Sequence, residues 1–214
     1  YLPDVAMTLN NLALLQKAQN EYGAARGNYE EALQILRELA QENPRTYKPD
    51  VAMTLNNLAL LQSDQSDQNE YGAALGNYKK DLQILRKLAQ ENPRTYLPDV
   101  ALTLNNLATL QKDQNEYGAA QGNYEEALQI RRELAQENPR TYLPDVAMTL
   151  INLSIFYVQA KPDPEKSIAM ALEALDCLQD FRQIPSLNDY AKVAYQVLAA
   201  NGVDETGNPL PKET

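Results

Sequence analysis

Apolar residues in this chain fall three and four positions apart, turn aside, and then do so again. From Pro3 the string Pro-Asp-Val-Ala-Met-Thr-Leu-Asn-Asn-Leu-Ala-Leu-Leu-Gln places Val5, Leu9, Leu12, Ala13 and Leu15 at helical steps. That spacing gathers side chains on one face of an α-helix. Pro3 suits a first turn, where its missing N–H would have no partner, and Asp4 suits the positive end of the helix dipole. Asn20-Glu21 predicts a turn, because asparagine tolerates the left-handed backbone that ends a helix. A second stripe, Tyr22, Ala25, Tyr29, Ala32, Leu33, Leu36 and Leu39, predicts a helix from about Tyr22 to Asn43, on the order of 33 Å long. Asn43-Pro44 stops it, since proline removes a donor and disfavours helix in the residue before it. Arg45-Thr46-Tyr47 is then expected to link to the next unit.

The pattern is an internal repeat. Tyr1-Leu2-Pro3 returns as Tyr47-Lys48-Pro49, Tyr96-Leu97-Pro98 and Tyr142-Leu143-Pro144, at offsets of 46, 49 and 46. The longer offset carries a doubled Ser-Asp-Gln between Ser63 and Gln68. A helix pair cannot bury both faces alone, so stacked pairs share one core. The expected fold class is all-α, a right-handed superhelical α-solenoid of antiparallel helix pairs over 1–46, 47–95, 96–141 and 142–183. Residues 184–202 are expected to form a capping helix and 203–214 a polar, mobile or loosely docked tail. The fourth pair departs from the others. Lys161-Pro162-Asp163-Pro164 replaces the turn, its second helix is expected over about Glu165 to Arg182, and Ser186 is the expected N-cap of a last helix from Leu187 to Ala200. Asp81 stands where Ala32 and Ala127 stand in their units. A buried, unpaired carboxylate is costly, so Asp81 is expected to reach solvent or pair with a nearby lysine.

Composition narrows the function classes. The net charge is −10, from 29 acidic and 19 basic residues. This argues against nucleic acid, which selects basic surfaces, and against anionic membrane surfaces. No apolar run approaches the roughly 18 residues of a membrane span. The sequence has no histidine and one cysteine, Cys177. It therefore offers no Ser-His-Asp or Cys-His machinery, no histidine-ligated zinc and no intrachain disulfide. Paired carboxylates such as Glu30-Glu31 diverge around a helix, and no glycine-rich phosphate loop is present. The expectation is a non-enzyme without cofactor or metal, in a reducing, cytoplasmic setting. The absence of an initial Met and the start in mid-pattern suggest a piece of a longer chain.

Leu12-Ala13, Asn20-Glu21-Tyr22, Ala25, Tyr29, Ala32-Leu33 and Pro44 together resemble the tetratricopeptide repeat. The Pro-Asp-Val-Ala-x-Thr-Leu-Asn-Asn-Leu-Ala string and the long second helix resemble its kinesin-light-chain-like subgroup. Departures are Leu9 for the usual Trp, Gln16 for the first-helix Tyr, and a period longer than the roughly 34 residues common in the family. In that family the first helix of each pair lines a concave groove that takes a peptide or partner segment. The resemblance implies that Met7, Asn10, Asn11, Leu14 and Lys17 line it in the first unit. Met53, Asn56, Asn57 and Leu60 do so in the second, Leu102, Asn105, Asn106, Thr109 and Lys112 in the third, and Met148 and Asn152 in the fourth. An asparagine amide both donates and accepts, so a ladder of them can pair with an extended peptide backbone. The other reading is that these amides bridge neighbouring repeats. The groove reading leads for Asn11, Asn57, Asn106 and Asn152, and the two are even for Asn10, Asn56 and Asn105. Ile151 in the fourth unit is expected to turn the groove apolar.

The first and third units differ at five positions: Met7/Leu102, Leu14/Thr109, Ala18/Asp113, Arg26/Gln121 and Leu36/Arg131. Three, Met7/Leu102, Leu14/Thr109 and Ala18/Asp113, are positions that the resemblance places on the groove face, as in a scaffold that keeps its frame and varies its lining; drift of exposed positions explains the same pattern. The functional expectation is an interaction scaffold for a protein or peptide segment. The alternatives are a sensor or regulatory arm of a larger bacterial signalling ATPase or protease, and a structural array that self-associates end to end through the apolar face of Tyr1 to Gln16.

Overall fold

The computed structural model describes residues 1–65 and 68–210. Ser66 and Asp67 of the doubled triplet, and the last four residues of the tail, lie outside the described residues. Among those described, the fold is all-α and built of helix pairs that pack in sequence. The chain divides into a first unit, Tyr1–Asn106, and a second, Leu107–Thr214.

The first unit holds α1 (Leu2–Ala18), α2 (Tyr22–Glu42), α3 (Pro44–Asp64), α4 (Gln68–Glu91) and α5 (Pro93–Asp113) as far as Asn106. α1 packs on α2, α2 on α3 and α3 on α4, and α1 also touches α3. The second stripe read from the sequence makes the core, but the first does so only in part: in α1, Val5, Leu12 and Leu15 are exposed, and the buried residues are Ala6, Asn10 and Ala13. Tyr29 is fully buried among Ala6, Ala13, Ala25 and Ala32, and Leu33 and Leu36 meet Val51, Leu55, Leu58 and Leu61. Small residues at these sites let the helices close around the large ring. Asn20 takes φ 63° at the α1–α2 turn, as its residue type predicts.

The second unit holds α6 (Tyr117–Glu137), α7 (Pro139–Gln159), α8 (Pro164–Cys177), a short 3-10 turn (Gln179–Phe181) and α9 (Pro185–Ala200). Tyr124, Phe156 and Tyr157 form its aromatic centre, with edge-on rings 6.2 and 5.3 Å apart. α7 is the one helix among the described residues with the length and mean hydropathy, 1.2, of a membrane span; here it is the core helix, with Leu150, Leu153 and Phe156 fully buried. α9 caps α7 and α8. Asn201 donates to Ser167 Oγ, which donates to the Ser154 carbonyl.

Three boundaries differ from the sequence expectation. α3, α5 and α7 begin at Pro44, Pro93 and Pro139, not at the later proline. Arg45-Thr46-Tyr47 is thus a first helical turn, and Pro49, Pro98 and Pro144 lie inside their helices. The first proline fits N1 because its missing N–H falls among the helix's unpaired donors. The second forfeits one interior bond, and burial of Val51, Ala52 and Leu55 just beyond it outweighs that loss. In the same way Pro185 occupies the first turn of α9 and Ile184 the cap, so Ser186 does not cap it. The tail from Val203 to Leu210 folds back on itself. Asp204 Oδ1 accepts from Thr206 N and Asn208 N, both at 2.9 Å, and Leu210 N donates to Gly202 O at 2.8 Å.

Candidate functional site

The first helices of the pairs repeat one surface. Met7, Met53 and Leu102 occupy the same register of α1, α3 and α5, and are 60%, 51% and 38% exposed. Asn11 and Leu14 are exposed beside Met7, and Asn57 and Leu60 are half-buried beside Met53. These side chains project because the opposite flank of each helix carries the residues that pack inward.

The asparagines divide by position. Asn10 and Asn105 are buried. Asn10 Nδ2 donates to Thr54 Oγ1 at 3.0 Å and to the Ala6 carbonyl at 3.3 Å, joining α1 to α3. Asn106 Nδ2 donates to Asn56 Oδ1 at 3.3 Å, joining α5 to α3. These amides bridge repeats. Asn11 is exposed, and Asn57, Asn106 and Asn152 are half-buried. Two predicted basic members are paired: Lys17 with Asp64 at 2.9 Å, and Lys112 with its neighbour Asp113 at 3.2 Å. In the second unit the Thr109 hydroxyl lies 2.8 Å from Tyr124 Oη, so it serves the core as well as the surface.

In the second unit the corresponding register is covered from within. Ile151 is buried against α9, and Ile155 and Val158 are half-buried with Tyr190 and Val193 of α9. Tyr190 Oη donates to Met148 Sδ at 3.6 Å. The register position left open at Met7, Met53 and Leu102 is filled at Met148 by the chain's own last helix. Ile151 is buried in the same apolar cluster as Ala194, Val197 and Leu198 of the capping helix.

Behind the open positions lies the layer that holds Asp81, and here the expectation for that residue fails. Asp81 reaches neither solvent nor lysine. It is fully buried, and Thr103 Oγ1 donates to its Oδ2 at 2.6 Å, while Oδ1 has no hydrogen-bond partner. The reason is geometric: this register points into the joint between helices, and one methylene cannot carry a carboxylate outward as a long lysine stem can. Burial pushes the Asp81 carboxyl up to about 7, against the lowering effect of the Thr103 bond, and the charge of Asp99 pushes it further the same way. Desolvation also raises Asp50 and Asp99. A cavity of about 210 Å³ lies here, lined by Pro49, Asp50, Met53 and Asn56 of α3, Asp81 and Leu85 of α4, and Asp99, Leu102 and Thr103 of α5.

The corresponding layer of the second unit holds Arg131, in the register of Leu36 and Leu85. It is buried, and Nη1 donates to the Asp145 carbonyl at 3.0 Å and to Thr149 Oγ1. Burial lowers its pKa, while the charge of Asp145 opposes that shift. The sequence signal for both layers was a charged residue in a register otherwise filled by alanine or leucine. Cys177 is half-buried, and burial with the nearby charges of Glu173 and Asp176 pushes its thiol up to about 11, far from a reactive thiolate. Among the described residues, no group of three or more acidic, cysteine or histidine side chains is placed to hold a metal ion.

Residues 5–45 and 100–140 match the family model described as a tetratricopeptide repeat. Among solved structures, BtubC (BKLC) from P. vanneervenii is similar at 25% identity, over 96% of this chain and 76% of that one, with a TM-score of 0.71. A P. anserina structure described as kinesin light chain nearly identical TPR-like repeats aligns at 14% identity, over 93% and 97% of the two chains, with a TM-score of 0.39. No curated protein matches the chain.

Proposed function

From the premise that this chain carries tetratricopeptide repeats, we propose that it is a non-enzymatic interaction scaffold that binds an extended segment of a protein partner along the first helices of its pairs. Repeats of this family mediate protein–protein interaction. The observation that carries the finer reading is the uncovered apolar register of Met7, Met53 and Leu102 beside Asn11 and Asn57. Flexible methionines adapt to varied apolar side chains, and amides beside them can pair with a peptide backbone. The filling of the same register at Met148 by α9 supports this, because it is a polypeptide segment that covers it. A cytoplasmic site of action goes with this reading. The test is selection of peptides on the immobilised chain, then titration of a selected peptide against the parent and a Met53→Ala, Asn57→Ala variant. The expected result is about tenfold weaker binding with unchanged helicity; equal affinity would remove the reading.

A second reading rests on the outer face of α1. Val5, Leu12 and Leu15 are exposed there, whereas Val51, Leu58 and Leu61 in the same registers of α3 are buried. We propose that a second copy stacks on this face. Light scattering over a concentration series should then show mass rising above the 24.0 kDa of one chain; a constant mass would reject stacking.

A further inference from the structure

We propose that the cavity between α3, α4 and α5 of the first unit is an anchor pocket for a basic side chain, lysine or arginine, of the bound partner segment. The inference rests on the scaffold reading above and adds the chemistry of one contact. Three carboxylates approach the cavity, Asp50, Asp81 and Asp99, and among the described residues no Lys or Arg lines it. Asp81 is fully buried with one oxygen bonded to Thr103 and the other without a hydrogen-bond partner. A buried acceptor without a donor is costly and calls for one. The remaining walls include Met53, Leu85 and Leu102, which suit the aliphatic stem of a long basic side chain. Met53 and Leu102 are exposed and belong to the register proposed to meet the partner. The volume, about 210 Å³, exceeds the roughly 150 Å³ that admits a benzene-sized molecule.

The second unit contains the filled version of this arrangement. There Arg131 occupies the register of Leu85, and its guanidinium lies against Asp145 and Thr149, the counterparts of Asp99 and Thr103. The chain supplies its own guanidinium to that layer. In the first unit the register is Leu85, the layer is more acidic by Asp81, and the space beside it is open. A guanidinium or ammonium from outside would give Asp81 the donor that its free oxygen lacks.

The probe is butylguanidinium, an arginine side-chain analogue, titrated into the whole chain at about pH 8 and followed by amide and methyl NMR shifts. Butylurea serves as the neutral isostere and magnesium chloride as the metal control. The expected result is saturable shifts centred on Met53, Leu85 and Leu102 with butylguanidinium alone. Loss of one charge-assisted hydrogen bond should weaken that binding about tenfold in Asp81→Ala, a variant that takes the residue found at 32 and 127. Leu85→Arg, which copies the second unit, should abolish it by filling the pocket. Absence of saturation, equal binding of butylurea, the same shifts with magnesium, or undiminished binding by Asp81→Ala would each overturn the proposal. Selected peptides that bind at Met7 and Met53 while butylguanidinium does not would leave the scaffold reading standing and remove the anchor pocket alone.

Discussion

Asp81 in the first unit and Arg131 in the second are both buried charges set into joints that the repeat otherwise builds from alanine or leucine. The second unit accommodates its charge. Arg131 has a long stem, reaches two oxygen acceptors, and lies near the negative charge of Asp145. The first unit does not. Asp81 is short, receives one hydrogen bond, and faces the like charge of Asp99. The lesson is that the Pro-Asp and Thr frame of a first helix accommodates a cation where Arg131 meets the Asp145 carbonyl and Thr149. A carboxylate placed there adds to an acidity already present.

The largest expected effect exploits that mismatch. An acid whose folded pKa is raised holds its proton more tightly when folded. Ionised Asp81 therefore costs nothing below its ordinary 3.8, progressively more up to about 7, and a constant amount above that. The full penalty is on the order of 4 kcal/mol. Allowing about 1 kcal/mol for the lost Thr103 bond, Asp81→Ala should stabilise the chain by roughly 3 kcal/mol at about pH 8. The gain should fade toward pH 4. Urea unfolding across that range measures it, and a pH-independent gain would contradict the titration.

In the second unit the expected sign is reversed. Arg131→Ala leaves a hole in the joint and should cost about 2–4 kcal/mol. Arg131→Leu, which restores the residue of registers 36 and 85, should fall within about 1 kcal/mol of the parent, because a well-packed apolar side chain replaces a buried charge at little loss. Comparable losses for both variants would mean that the guanidinium itself, and not its volume, holds the joint. Next in size is Tyr190→Ala. Removing a half-buried ring from α9 should cost about 1–2 kcal/mol. Hydrogen exchange should quicken in α7 and α9, with protection of Leu33 and Leu55 in the first unit unchanged.

The smallest effects separate the two kinds of asparagine. Asn10→Ala removes the buried bond to Thr54 and should cost about 1 kcal/mol. Asn11→Ala, at an exposed site, should shift stability by less than about 0.5 kcal/mol. Equal costs in thermal melts would erase the distinction between bridging and outward-facing amides.

Much of the fold was legible from period alone. Tyr29, Tyr78 and Tyr124, with their alanine partners, are buried where the stripes put them, because an amphipathic helix has only one face to hide. The prolines were harder. Pro44 and Pro49 each satisfy the rule for a helix start, and only the packing of α3 shows that the helix begins at the earlier one. Of the expected groove, the exposure of Met7, Met53 and Leu102 follows from register. The burial of Asn10 and Asn105 does not, since adjacent residues on one helix differ by about 100° and a polar side chain can lie either way.

The sequence by itself determined the helix pairs, their order and the registers in which they meet. Those depend on local spacing and on repetition of the same contacts. Only the tertiary structure decided that Asp81 is enclosed with a single donor, that Arg131 meets Asp145 and Thr149, and that α9 lies over Met148. Each depends on which distant side chains share a joint, and on whether a stem is long enough to leave it.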